Sequence, residues 1–154
     1  MFALIFGLSF LANAQDVQKD QPKGYQFTDI KRLPATSVKD QARAGTCWSW
    51  SGISFFESEM IRMGKEPIDL SAMYIVRHAY SDKATKFVRL HGSMNFAVGG
   101  AFCDVMHVIK NYGIVPMDVY MGLNYGEPNH AFGEIDDVLA GYINAVIKNS
   151  NKKL

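Results

Sequence analysis

The chain has 154 residues, of which 48% are hydrophobic and 20% charged, and 16 basic residues stand against 15 acidic ones for a formal charge of +1. That length carries one domain with a real core and is short for two. The near-balance of charge leaves no basic surplus to form a nucleic-acid-binding face, so no nucleic-acid partner is expected.

Residues 1–14, MFALIFGLSFLANA, hold an apolar run from Phe2 to Leu11 followed by Ala12-Asn13-Ala14. An apolar stretch ending in A-x-A has the pattern of a cleaved signal peptide and is too short for a stable transmembrane helix. No Lys or Arg precedes the run, so the usual basic start is missing unless the natural start lies upstream. A buried N-terminal helix is the competing reading. We therefore expect export, periplasmic or secreted, with a mature start near Gln15, no membrane span, and cytoplasmic residence as the alternative. The two cysteines, Cys47 and Cys103, leave a single bridge open and do not fix the compartment.

Residues 15–40 are polar and broken by Pro22, Gly24 and Pro34. They read as an extended arm with one short strand near Tyr25 to Ile30. From residue 41 onward the pattern is helical. The segment TCWSWSGISFFESEMIRMGK places Ile53, Phe56, Met60 and Met63 at helical spacing, with Gly64 as the stop. Trp50 and Phe55 add apolar surface on other faces, which predicts a helix buried on most sides. DLSAMYIVRHAYSDK predicts a second helix capped by Asp69 or Ser71, with Met73, Val76 and Tyr80 on one face; it runs on through Phe87 until Gly92 breaks it. A third helix fits AFCDVMHVIKNYG, where Phe102, Val105, Ile109 and Tyr112 recur every three or four residues and Gly113 and Pro116 end the pattern. The last, GEIDDVLAGYINAVIKNSNKKL, aligns Ile135, Val138, Leu139, Tyr142 and Val146, with acids early and lysines late as the helix dipole favours. The sum is four helices and no convincing strand.

The chemistry concentrates in KDQARAGTCWSW, residues 39–50. A cysteine among aromatics is as readily a small buried hydrophobe as a nucleophile. If a helix starts at Thr46 or Cys47, however, its free N–H groups and positive dipole end favour a thiolate there. Gly45 lets backbone approach a substrate without a Cβ in the way. Attack on an amide creates an oxyanion, and the Cys47 N–H with the Gln41 side-chain amide, returned by the turn Ala42-Arg43-Ala44-Gly45, supplies donors for it.

This stretch resembles the active-site segment of papain-type cysteine peptidases, in which a Gln lies six residues before a Cys-Trp that opens the central helix. The family's C-G-[SA]-C-[WY] pattern is partly met by Ala44-Gly45-Thr46-Cys47-Trp48. A second patch, Gly99-Gly100 followed by a helix and NYGIVPMDVY, is similar to the segment whose Gly-Gly pair lines the cleft. The family's two bridging cysteines are replaced together, by Ala44 and Ala97. IDLSAMYIVRHAYSDKATKFVRLHG resembles the bleomycin hydrolase and aminopeptidase C branch.

The resemblance implies an α+β papain-like fold in the longer protein, of which residues 41–154 form the mainly helical N-terminal lobe. It implies Cys47 as nucleophile, Gln41 as oxyanion-hole donor, and Gly99 and Gly100 as the cleft wall against which an extended peptide substrate pairs. Such chemistry needs no metal or other cofactor. It does need a histidine and an Asn or Asp, which the family carries about 130 to 150 residues or more beyond the cysteine, past Leu154. His78, His91, His107 and His130 do not stand in the family's histidine context and read as surface or partly buried side chains. The expected activity is that of an aminopeptidase or oligopeptidase, with homo-oligomerisation open to the full-length protein. The alternative is a non-catalytic helical module that binds peptides or a partner. A thiol redox protein is disfavoured because no C-x-x-C is present.

Overall fold

The computed structural model describes residues 24–124 and 126–149; the expected signal segment and the first part of the arm lie outside the described residues. The chain divides into two units, residues 1–31 and 32–154. In the first, residues 24–31 are irregular, with Tyr25 and Phe27 more than nine-tenths exposed and their rings 6.4 Å apart. The strand expected over Tyr25 to Ile30 is not formed, because an isolated extended run there has no second strand to take its N–H and C=O groups.

The second unit holds four helices: α1 (Cys47–Arg62), α2 (Ala72–Arg89), α3 (Phe102–Tyr112) and α4 (Gly133–Lys148). Among the described residues there is no sheet, only two isolated bridges, Arg43 with Ala131 and Leu70 with Pro116. The helix boundaries follow local chemistry. Gly64, at φ 76°, ends α1 in a Schellman turn, with Lys65 N–H on the Met60 carbonyl at 3.0 Å and Gly64 N–H on that of Ile61 at 2.9 Å. Ser71, rather than Asp69, caps α2: its Oγ accepts from the Tyr74 N–H at 3.0 Å. α2 ends in the same kind of turn, with His91 in the left-handed position at φ 53° one residue before Gly92.

The core lies between α1, α2 and α3, where Ile53, Ile75, Val76, Val105 and Val108 are almost completely enclosed. Each such side chain contributes roughly 1.5–3 kcal/mol by leaving water. A smaller cluster of Phe87, Val88 and Ile143 attaches α4 to the end of α2. Two expectations about faces are corrected here. α1 is not buried on most sides, since Phe55 is 52% exposed. The face drawn through α4 is covered only in part: Leu139 and Val146 pack on the core clusters, whereas Ile135, Val138 and Tyr142 are 42%, 63% and 68% exposed, and Ile143 is the helix's buried residue. The cause is that α4 meets only α2 among the described helices, and the packed stripe runs through Leu139, Ile143 and Val146.

A buried carboxylate fixes the approach to α1. Glu57, 1% exposed, accepts at Oε1 from the Leu70 N–H at 2.7 Å, and at Oε2 from Lys39 Nζ and Thr36 Oγ1, both at 2.5 Å. Lys39 also pairs with Asp69 at 2.8 Å. Burial alone would lower the Lys39 pKa, but the hydrogen bonds to Asp69 and Glu57 outweigh it and hold the group above its ordinary value. The segment that carries Gln41 is thereby anchored to the middle of α1. No described helix is long and apolar enough to cross a membrane.

Candidate active site

Cys47 is the first residue of α1 and is exposed. The residue before it, Thr46, is fully buried and offers no side-chain cap; its Oγ1 instead accepts from the Trp50 indole at 3.1 Å. The first turn contains no acidic residue. The N–H dipoles of that turn therefore face Cys47 without a competing carboxylate. Cys103 is exposed too and also sits in a first helical turn, that of α3, but Asp104 follows it there and accepts from the Ala101 N–H at 2.8 Å. The two thiols are free, so the bridge left open by the sequence is not formed.

Gln41 reaches the site through a tight return. Ala42 donates to Asp40 Oδ1 at 2.7 Å, Ala42 adopts φ 51°, and the Ala44 N–H closes back on the Gln41 carbonyl at 3.3 Å. Gly45 then takes φ 64°, and a Cβ there would stand 3.1 Å from Val98 Cγ2. The positive φ favours glycine here, and the close approach of Val98 adds to the cost of any side chain. Arg43 locks the return from the other side: its N–H donates to the His130 carbonyl at 3.0 Å and its carbonyl accepts from Phe132 at 3.2 Å. The Gln41 Oε1 is enclosed without a hydrogen-bond partner among the described residues, which leaves Nε2 as the accessible end of the amide.

The Gly-Gly pair is brought to the same corner by Trp48, one residue after Cys47. Trp48 Nε1 donates to the Val98 carbonyl at 3.0 Å across 50 positions of sequence. Gly100 lies flat on the indole, since a Cβ on it would fall 2.5 Å from Trp48 Cε2. Gly99 has open space at the same point. The two glycines are thus not equivalent. The Gly99 carbonyl is taken by Lys83 Nζ, whereas the N–H and C=O of the exposed Gly100 have no partner among the described residues. Of the two glycines, Gly100 is the one with both its N–H and its C=O unpaired among the described residues. Trp48, 7% exposed, fills the core and also links the Cys47 helix to the Gly99-Gly100 loop. Nothing local signals that link, because its partner lies at the far end of another loop.

Three of the histidines have identified partners. His78 stacks on Tyr112 with centroids 4.3 Å apart, and His107 Nε2 lies 3.1 Å from Asp82 Oδ2. His130 is 8% exposed, packs its ring 5.9 Å from that of Trp50, and has its pKa lowered by desolvation. His130 also borders an open cleft of about 510 Å³ with Phe132, Ile135 and Val138.

Comparison with known protein families gives a match over residues 22–131 to the model described as papain family cysteine protease. No curated protein matches the chain. Four helices without a sheet among the described residues are consistent with the helical lobe of a papain-like fold, and α4 lies beyond the matched residues. With the match extending over most of the chain and including the whole Gln41–Cys47 segment and the Gly-Gly pair, the protein belongs to the papain family of cysteine proteases.

Proposed function

We propose that the protein is a cysteine-type peptidase of the bleomycin hydrolase and aminopeptidase C kind, acting on peptides through Cys47. The observation that carries this reading is the exposed cysteine at an uncapped, acid-free helix start within the matched papain-family segment. In the proposed reaction the Cys47 sulfur attacks the scissile carbonyl carbon, and the oxyanion accepts hydrogen bonds from the Cys47 N–H and Gln41 Nε2. The C–N bond breaks as the amine leaves with a proton, and water then releases the acyl group from sulfur. Gly100 pairs with the substrate backbone on one side of the thiol. The imidazole that moves these protons belongs, in this proposal, to a second lobe, and we assign none of the four histidines to it. Residues 1–14 act as an export signal and residues 41–154 as the first lobe.

A non-catalytic peptide-binding module is the competing reading, favoured by the engagement of His78 with Tyr112 and of His107 with Asp82. Alkylation separates the two. With iodoacetamide at neutral pH, Cys47 of the folded protein is expected to label well ahead of Cys103; equal rates would remove the nucleophile. The 154-residue chain is expected to label stoichiometrically without turning over, because loss of the imidazole costs about four to six orders of magnitude in rate. Hydrolysis of an aminoacyl amide by this chain, abolished by Cys47→Ala, would instead mean that one of its own histidines is the base.

A further inference from the structure

The papain-type reading explains Cys47, Gln41 and the two glycines but leaves Lys83 without a role. Lys83 lies on α2, outside the segments that carry the motifs, and is half-buried. Its Nζ donates to the Gly99 carbonyl and stands 5.4 Å from the centroid of the Trp48 ring. The same ring donates from Nε1 to the Val98 carbonyl at 3.0 Å and forms the floor beneath Gly100. Two successive carbonyls, those of Val98 and Gly99, are therefore held by side chains of α1 and α2.

The consequence follows from peptide geometry. The Gly99 carbonyl and the Gly100 N–H belong to one planar trans peptide unit and point in opposite directions. Fixing the carbonyl on the Lys83 side fixes the direction in which the Gly100 N–H points on the other. A Gly-Gly peptide needs such a constraint more than any other, since neither residue has a side chain to limit its dihedrals. An ammonium on the carbonyl also polarises the unit and strengthens its N–H as a donor. The attraction of the ammonium for the indole face favours the arrangement in which Lys83 reaches the carbonyl.

We infer that Lys83 is a positioning residue of the substrate-binding edge, aiming the Gly100 N–H at the backbone of a bound peptide. This rests on the reading of Cys47 as nucleophile and Gly100 as the pairing edge, and the test separates the two claims. The 154-residue protein is treated with a dipeptidyl chloromethyl ketone, whose backbone must lie along the edge before the sulfur displaces chloride. Iodoacetamide, which has no peptide backbone, is the control. In Lys83→Met the half-saturating concentration of the peptidyl reagent should rise about five- to tenfold, as expected for losing one neutral backbone hydrogen bond, that of the Gly100 N–H. The limiting rate of alkylation and the iodoacetamide rate should stay as in the wild type. Lys83→Arg, which keeps the charge, the donors and the affinity for the indole, should restore most of the binding. In the unlabelled protein the Gly100 amide resonance should move in Lys83→Met and return in Lys83→Arg. An unchanged half-saturating concentration in Lys83→Met would overturn the assignment, as would an equal loss of reactivity toward both reagents, which marks a merely structural lysine. Failure of the underlying reading is visible before any substitution: wild-type Cys47 would then show no saturable labelling by the peptidyl reagent, and the edge and Lys83 would fall together.

Discussion

α1 and α4 are both 16 residues long and both present apolar side chains at helical spacing, yet the fold uses them differently. α1 packs on α2 and α3 and buries polar groups as well as apolar ones: Ser49 donates to the Ala72 carbonyl at 2.8 Å, and Glu57 satisfies three donors. α4 touches α2 alone, buries Ile143, and leaves Val138 and Tyr142 in solvent. The helix that carries the candidate nucleophile is fixed by several buried directional bonds, and the helix beyond the family match mainly by apolar packing, with one side-chain bond from the Tyr80 hydroxyl to Asp136 Oδ1 at 2.8 Å. Directional bonds fix both rotation and position, which a reactive thiol at a helix end requires; an apolar patch fixes position loosely.

The sharpest way to break this contrast is at Glu57. Glu57→Ala leaves Lys39 facing Asp69 alone and the buried Leu70 N–H without an acceptor. Removing one member of a buried ionic cluster costs about 3–5 kcal/mol, so urea unfolding should show a loss of that size, with labelling of Cys47 disturbed as the Gln41 segment loosens. A change under about 1 kcal/mol would mean that the cluster is solvated and that α1 is held by its apolar face.

Within α4 the prediction is a split. Ile143→Ala should destabilise by about 2–4 kcal/mol, as for other large-to-small core changes. Val138→Ser, one turn away on the exposed face, should stay within about 0.5 kcal/mol. Thermal unfolding of the two variants side by side decides it, and equal losses would show that the Val138 face is covered in solution.

The α1 side is tested again at its contact with the Gly99-Gly100 loop. Gly100→Ala drives a Cβ into the Trp48 indole and should cost about 1–3 kcal/mol together with peptidyl-reagent binding. Gly99→Ala meets open space and should leave stability within about 0.5 kcal/mol of wild type. Equal effects would mean that the pair works only as a flexible loop.

The smallest expected effect is in pH dependence and belongs to the loop that joins the two helices' surroundings. Desolvation lowers the His130 pKa in the folded protein, so the unfolded chain binds a proton more readily. The stability tied to the neutral ring is present above the unfolded value of about 6.5 and is lost as pH falls from there through the folded value. Replacing the ring by one that does not titrate, His130→Phe, should flatten that part of the pH–stability profile measured by chemical unfolding. An identical slope would show that His130 charges freely in the folded protein.

Much of this molecule is written locally. The four helices, the Schellman stop at Gly64, the Ser71 cap and the Gln41–Cys47 spacing follow from turn chemistry and 3.6-residue periodicity, which act within a few residues. The family resemblance was legible for the same reason, because the reactive segment is continuous. Periodicity states that a helix has an apolar stripe but not whether a neighbour covers it, so α4's open face and Phe55 were misjudged. Tyr25 to Ile30 had strand composition and no second strand to pair with. The inequality of Gly99 and Gly100, the orphaned Gln41 oxygen, the Glu57 cluster and the hold of Trp48 and Lys83 on the Gly99-Gly100 loop were decided by tertiary structure alone. The bonds of Glu57 to Leu70, Lys83 to Gly99 and Trp48 to Val98 span 13, 16 and 50 residues, and sequence carries no local mark of a bond whose partner arrives only when the chain has folded.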